Sequence, residues 1–512
     1  MDRIFGIDLG TTNSVIAYTD PNGTTEVIAG RDGGRIVPSV VYFPDKGDPV
    51  VGALAREHAI TDPDRVARLF KRGMGEHTFL PDGKPFVVDG NTWAPEALSA
   101  LVLRKLAQMA EEHYGEPVRR VVITVPAYFG EVERAATKSA GEIAGLEVVR
   151  IVDEPAAAAV ANEVDRPGES GMFLVFDLGG GTFDVTVMRV AANGDMQVVA
   201  KGGDRQLGGM DFDELIVGKM VAAARESGLD IETEAWARQD AYAKAEEIKK
   251  ELSFAEVAGR SLTGSGRPLR FELSRGEFES LLANRLREVE DTTVYTLEDV
   301  AELRPADLTK VIMVGGSSRI PAFQRLLGRI YKQDPTFTRN LDEDVARGAA
   351  MLAAKEGGEL DPRARLAQIA KPGMVIAQGI GMTSTDPDTR HQSNAIIVHA
   401  SEQIPADDEG IFETIDEGQT GIEVHLNEGD EEDLTYVREI VTFLADFGRP
   451  VRKGHPMLVR IKVNDQGILD FFAWDGETRE EIRHKQVVRP SILSQQQVEQ
   501  ARSRVAAITK VG

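Results

Sequence analysis

A short pattern that occurs twice constrains this chain more than any other feature. Asp8-Leu9-Gly10-Thr11-Thr12 returns, at residue 177, as Asp177-Leu178-Gly179-Gly180-Gly181-Thr182. Both copies follow an apolar run, Ile4–Asp8 and Phe173–Asp177, and both lead into a second one, Ser14–Tyr18 and Phe183–Val190. The unit is strand, glycine-containing turn, strand. That is a hairpin, unlike the strand–loop–helix of a Walker phosphate loop. Two such hairpins predict two related lobes that face one another.

The turns also carry a chemical message. Backbone N–H groups in tight glycine turns form concave anion nests, and glycine permits both the angles and the close approach. An aspartate beside each turn repels phosphate unless a divalent cation lies between them. Mg²⁺ with its retained waters is the natural mediator between Asp8, Asp177 and the β- and γ-phosphates. Thr11, Thr12 and Thr182 can donate hydroxyls to phosphate oxygens or hold metal-bound water. One Asp-Leu-Gly is an ordinary turn; two matched copies read as a phosphate cleft.

The rest of the composition narrows the classes. At 512 residues, 42% apolar and 28% charged, the chain reads as two or three soluble domains. A net charge of −24 argues against nucleic acid as the main partner, while a nucleotide can be neutralised locally. With no cysteine there are no disulfides, thiolate metal sites or cysteine nucleophiles, and the eight histidines lack metal-ligand spacing. The N-terminal residues run straight into a strand without a signal-like segment, and no window approaches the roughly 18 apolar residues of a membrane span. The expectation is a cytoplasmic protein with no membrane partner.

Residues 1–360 alternate strand-like and helix-like runs, the mark of an α/β architecture. Val121–Val125 and Val311–Val314 read as further strands, and Ala94–Tyr114, Glu131–Ala144 and Ala237–Leu252 as helices. Gly357-Gly358-Glu359-Leu360-Asp361-Pro362 breaks the pattern and reads as a linker. Short apolar runs separated by polar turns then suggest a β-sandwich, with Glu428–Asp433 as a solvated acidic loop and Ser494–Thr509 as one short helix. The expected plan is an α/β domain over 1–357, a linker over 358–373, a sandwich over 374–490 and a helical tail over 491–512.

These motifs together resemble those of the seventy-kilodalton heat-shock chaperone family. Ile4–Ser14 is similar to its first phosphate motif and Asp177–Asp184 to its second; Val314-Gly315-Gly316-Ser317-Ser318-Arg319-Ile320-Pro321 resembles its adenosine motif, and Val125–Phe129 its connecting segment. The resemblance implies an actin-like ATPase domain of two ribonuclease-H-like lobes, followed by a peptide-binding β-sandwich. It adds Asn13, Asp184, Gly208 and Gly209 to the phosphate residues. By the same resemblance Lys71 would contact the γ-phosphate and Glu154 would orient the attacking water. Glu246, Lys249, Lys250 and Ser253 on one helix, with Gly315, Gly316, Ser317, Arg319 and Asp342 opposite, would hold adenosine. Phe412, Ile415 and Ile422 would line a groove for extended apolar peptide.

The resemblance further implies unfolded polypeptide clients, a J-domain co-chaperone and a nucleotide-exchange partner. The chain departs from the family pattern at three places. Gly130 stands where a polar residue is common and Ala156 where Thr is common; the linker Leu366-Ala367-Gln368-Ile369-Ala370-Lys371-Pro372 lacks a run of consecutive aliphatics. After residue 490 about twenty residues stand where the family has a helical lid of about a hundred, so long-lived client trapping is not expected. The alternatives are a slow-ATPase scaffold for one fixed partner and a small-molecule kinase on the same fold. The kinase would need an aspartate base outside the two phosphate aspartates.

Overall fold

The computed structural model of this chain describes residues 3–76, 78–80, 83–165, 168–358, 360–482, 484–489, 492–508 and 511–512. It divides into two units: residues 1–127, 137–372 and 499–512 form the first, and 128–136 with 373–498 the second.

Two sheets of the same design make up the first unit. In one, β1 (Ile4–Leu9) and β2 (Asn13–Thr19) form an antiparallel hairpin. On its other side β1 pairs in parallel with β3 (Arg120–Val125), which pairs in parallel with β4 (Glu147–Asp153). A short strand, Thr25–Val27, lies beyond β2. In the other sheet, β5 (Gly171–Leu178) and β6 (Phe183–Val190) form the hairpin and β7 (Met196–Asp204) lies beyond β6. There β8 (Leu308–Val314) runs parallel to β5, with Thr336–Phe337 outside it. Numbered within each lobe, both sheets run third, second, first, fourth, fifth strand. The duplicated sequence motif is therefore the visible part of a duplicated topology. The strands are β-branched and buried on both faces, as sheets covered by helices on both sides require.

Helices α1 (Ala53–Thr61), α2 (Pro95–Tyr114), α3 (Glu131–Ile143) and α4 (Glu154–Asp165) belong to the first half of the sequence. They are followed by α5 (Gly209–Glu226), α6 (Ala235–Leu252) and α7 (Asp344–Gly357). Proline opens α2, where its missing N–H costs nothing, and Gly115 at φ 72° ends it. The contact between α7 and the first sheet is unusually close. A Cβ on Gly6 would overlap the backbone of Ala350, and one on Gly348 the backbone of Ala157. Glycine at these two positions lets α7 lie directly on β1 and α4. The second sheet is packed through Phe176, Phe183, Phe212, Ile216 and Phe323, all fully buried.

The second unit is a sandwich of antiparallel sheets. One runs Gln392–Val398, Ile380–Thr385, Gln419–Glu428, Arg438–Val451, His484–Val488; the other runs Ala406–Glu413, Pro456–Val463, Leu469–Asp475. Val424, Phe443, Met457, Val459 and Ile461 fill the space between them. The acidic segment 428–433 is not simply solvated, contrary to expectation. Glu428 is buried and accepts a 2.8 Å hydrogen bond from the Glu131 N–H, and Asp430 accepts one of 2.8 Å from Gly379. Gly130 has a reason in the same place, because a Cβ there would overlap the Glu428 carboxylate.

Two stretches group differently from the contiguous plan. Residues 128–136 belong with the sandwich, and 499–512 belong with the first unit. The helix Gln495–Ala506 leads into that last stretch. There Arg104 donates to the carbonyls of Val505 and, at 3.0 Å, Ile508; Gly512 exchanges 3.1 Å backbone hydrogen bonds with Pro49 and Val51; and Val505 and Val511 are buried. Pro490, Thr509 and Glu359 fall outside the described residues. Among those described, no helix is long and apolar enough to cross a membrane.

Candidate functional site

The two hairpin turns meet face to face in the first unit. A Cβ on Gly180 would overlap the hydroxyl of Thr12, and one on Gly181 would lie 2.5 Å from the Thr11 methyl. Two further turns join them. The N–H groups of Gly209 and Met210 donate to the carbonyls of Gly179 and Gly180 at 3.0 and 2.9 Å, and the Ser317 hydroxyl donates to Gly179 at 2.8 Å. Gly208 stacks against the Gly181 backbone, where a Cβ would come within 2.6 Å. Gly315, at φ 81°, leaves no room for a Cβ against the Leu178 carbonyl. Gly10, Thr11, Thr12 and Asn13 thus share one cleft with Gly179–Thr182, Gly208–Gly209 and Gly315–Ser317, although the sequence separates them by up to three hundred residues.

Charged side chains converge at the bottom of this cleft. Asp8 lies near the end of β1, Asp177 near the end of β5, and Glu154 is the first residue of α4. The Thr124 hydroxyl, from β3, donates to Asp8 at 3.2 Å. Lys71 stands on a short 3₁₀ turn, Phe70–Gly73, which the buried Phe70 ring anchors. Its Nζ lies 2.7 Å from Glu154 Oε1, with both residues buried. Burial first, and then the neighbouring Glu154, push the Asp8 carboxyl up to about 7. Asp177 is raised well above its ordinary value by burial, with Glu154, Asp184 and Asp8 adding to it. Burial thus disfavours the charged forms of Asp8 and Asp177, and a nearby cation would offset that cost. Among the described residues, no three His, Cys, Asp or Glu side chains are placed to ligate a metal directly. The chemistry of the donors, buried carboxylates beside glycine turns, fits a hard cation such as Mg²⁺.

Sequence reasoning missed the residue that closes the cleft. Arg72, next to Lys71, donates to the Gly181 carbonyl at 2.8 Å and to Asp211 at 3.2 Å. Asp211 also accepts from the Gly208 N–H at 2.7 Å, so one guanidinium fork binds the first lobe to two glycine turns of the second. Both residues lie within motifs the sequence displays; nothing in their spacing pairs them.

On the adenosine side the expected residues are near one another but differently employed. Lys249 is buried, and its Nζ donates to the Gly209 carbonyl at 2.6 Å and to Asp213 at 2.8 Å. It braces the Gly208-Gly209 turn instead of standing as a free cation. Glu246 pairs with Lys250 at 2.6 Å and with Arg56 on α1, which joins the tops of the lobes. Arg319 pairs with Asp342 at 2.7 Å, and Gly316 and Ser317 form a 3₁₀ turn. The Ser253 hydroxyl reaches the Lys249 carbonyl at 3.5 Å. Asp184 is buried directly across the β5–β6 hairpin from Asp177.

In the second unit, Phe412 and Ile422 are half-buried and pack against the sandwich core, and Ile415 is half-buried in the turn that follows Ala406–Glu413. Phe412 and Ile422 thus contribute to the core as well as facing outward. Ile411, beside them, is 69% exposed.

A family model described as Hsp70 protein matches residues 4–510. The chain belongs to the Hsp70 family. Among curated proteins it is similar to the chaperone protein DnaK of Thermotoga neapolitana, with 36% identity over 485 residues, covering 92% of this chain and 78% of that relative. The DnaK proteins of Thermotoga petrophila and Thermotoga maritima are 35% identical over the same span. As an Hsp70 protein the chain is an ATP-dependent chaperone and an ATPase, built as two actin-like lobes and a β-sandwich. Membership sets aside the small-molecule kinase alternative.

Proposed function

We propose that this Hsp70 protein hydrolyses ATP with Lys71 and Glu154 as its working pair, and uses the cycle to bind and release extended apolar polypeptide. The observation that carries the reading is the buried 2.7 Å contact between Lys71 and Glu154, set between Asp8 and Asp177 at the mouths of two matched glycine turns. Lys71 lies where it can shift its charge from Glu154 to the γ-phosphate. Glu154 is then released to orient a water in line with the bond that breaks. The water oxygen bonds to phosphorus, the bond to the β–γ bridging oxygen breaks, and the water's protons leave with phosphate and solvent. Such a reaction depends on positioning and charge more than on covalent chemistry. Asp8 and Asp177 would hold Mg²⁺ through water, and the ion would supply the remaining neutralisation.

Packing of the atypical linker supports coupling to the sandwich. Leu366 and Ile369 are buried in the first unit, and Lys355 donates to both of their carbonyls. Arg365 pairs with Glu163 on α4 at 2.5 Å; Lys371 pairs at 2.7 Å with Glu356, which also holds Arg150 of β4 at 3.1 Å. Two apolar anchors and three ion pairs thus do what a continuous aliphatic run would do. The elements they grip are the two that meet at Glu154. Phe412, Ile415 and Ile422 are the proposed contacts for peptide, with a J-domain protein and a nucleotide-exchange factor as partners in the cytoplasm.

Steady-state ATP hydrolysis with Mg²⁺, with and without an unstructured apolar peptide, tests this reading. Turnover should fall at least 100-fold in Glu154→Ala and in Lys71→Ala, the order expected for loss of one preorganised charge, and peptide should raise the rate of the unaltered chain. Wild-type rates in both variants refute the residue assignment. A rate indifferent to peptide refutes the coupling.

A further inference from the structure

A second buried lysine–acid pair lies one residue from the proposed water-orienting carboxylate. Lys201 Nζ approaches Asp153 Oδ2 to 2.6 Å, and the two side chains are 1% and 0% exposed. Asp153 is the last residue of β4 and Glu154 the first of α4, so a single peptide bond separates the two carboxylates. Lys201 comes from β7, the edge strand of the other sheet, where it sits opposite Thr186 of β6. The pair therefore spans the two lobes at the corner that carries Glu154.

Stability gives no reason for such a pair. Desolvating two charges costs about as much as their attraction returns, and a well-packed apolar pair of similar volume is often as stable. What an ion pair adds is direction, because it fixes one register between the elements that bear it. Here the elements are the strand ending at Asp153 and the edge of the opposite sheet. There is also a charge argument. Asp8, Asp153, Glu154 and Asp177 are four acids in one corner of the molecule, and the charge of Lys71 acts on Glu154, Asp8 and Asp177. Lys201 lies against Asp153 and brings a second cation to this corner.

We infer that the Asp153–Lys201 pair is a positioning device that sets the Glu154 carboxylate for water attack, a role that rests on the reading of Glu154 given above. Neither residue is among those assigned to the nucleotide; each acts through Glu154. The signature is therefore a fall in the rate of hydrolysis without a fall in ATP affinity.

Two double variants of the full chain separate this from a packing role. Asp153→Leu with Lys201→Met replaces the pair by apolar side chains of similar size. Asp153→Asn with Lys201→Gln replaces it by a neutral polar pair. Single-turnover hydrolysis should fall about 10-fold or more in the apolar pair, while ATP affinity measured by calorimetry stays within about threefold. The amide pair should remain within about threefold of the unaltered chain in both. Should the apolar pair fail to fold, Asp153→Glu keeps both charges but lengthens the acid, and should still slow hydrolysis about fivefold or more at unchanged affinity. An apolar pair, or in its place Asp153→Glu, that hydrolyses ATP at the unaltered rate overturns the inference, as does a loss confined to ATP affinity. Glu154→Ala in the same series tells the two readings apart. If it is slow while the pair variants are fast, only the positioning role fails; if it is as fast as the unaltered chain, the Glu154 assignment itself fails.

Discussion

Gly180→Ala is the sharpest test of how the two phosphate turns are fitted together. Gly180 does not occupy the left-handed region, so alanine meets no backbone strain there. The only obstacle is Thr12 of the other lobe, whose hydroxyl the new Cβ would overlap and whose own Cβ would lie 3.0 Å away. Relief requires one turn to retreat, and overpacking of this kind costs about 1–3 kcal/mol. If the closed cleft is the state that binds ATP, that cost appears as an affinity about 5- to 150-fold weaker. Removing the obstacle should remove the cost. In a Thr12→Ala background the hydroxyl and methyl are gone, so adding Gly180→Ala should weaken ATP binding by less than about threefold. Calorimetry on the four proteins, the unaltered chain, each single variant and the double, completes the cycle. Unaltered affinity in Gly180→Ala, or the same loss in both backgrounds, would refute the opposition of the turns.

Two further predictions concern stability. Glu96, at the start of α2, is buried with one carboxylate oxygen lacking a hydrogen-bond partner, and burial pushes it up to about 7. A folded value above the unfolded one stabilises the protein below about pH 4.5 and loses that contribution as the pH rises through about 7. Glu96→Gln should therefore stabilise the ATPase unit at pH 8, by up to about 3 kcal/mol, and change little at pH 4, as read by chemical denaturation. Equal effects at both values would contradict the assignment. Deleting 499–512 should lower the melting temperature of the ATPase unit and shift Trp93 emission, since Arg504 stacks on that ring and Val505 and Val511 leave the core. An unchanged melting curve would show that the packing carries no stability.

How much of the site was legible depended on how far apart its partners are in the chain. The twin hairpins could be read because each is local, a run of apolar residues broken by an acid and glycines. Matching the copies predicted two related lobes, and the structure then supplied their common strand order. Lys71 and Glu154 were found only through resemblance, because neither a lysine near a phenylalanine nor a glutamate before a proline has a chemistry of its own in isolation. The Arg72–Asp211 fork and the Lys201–Asp153 pair left no trace, since each joins residues about 140 and 50 positions apart through side chains alone. Glu428 was misread for a related reason. Within an acidic run, composition predicts solvent, while one backbone N–H and a facing glycine decide burial.

By itself, then, the sequence determined the local backbone: which segments extend, where glycine permits a tight turn after an acid, and that this happens twice. Tertiary structure alone decided which charges meet, that Lys249 braces a turn, and that residues 499–512 pack in the ATPase unit. The physical reason is range. Strand pattern and turn geometry are set by neighbours a few residues away, whereas a buried charge finds its partner only once two elements have been brought together and water has been excluded.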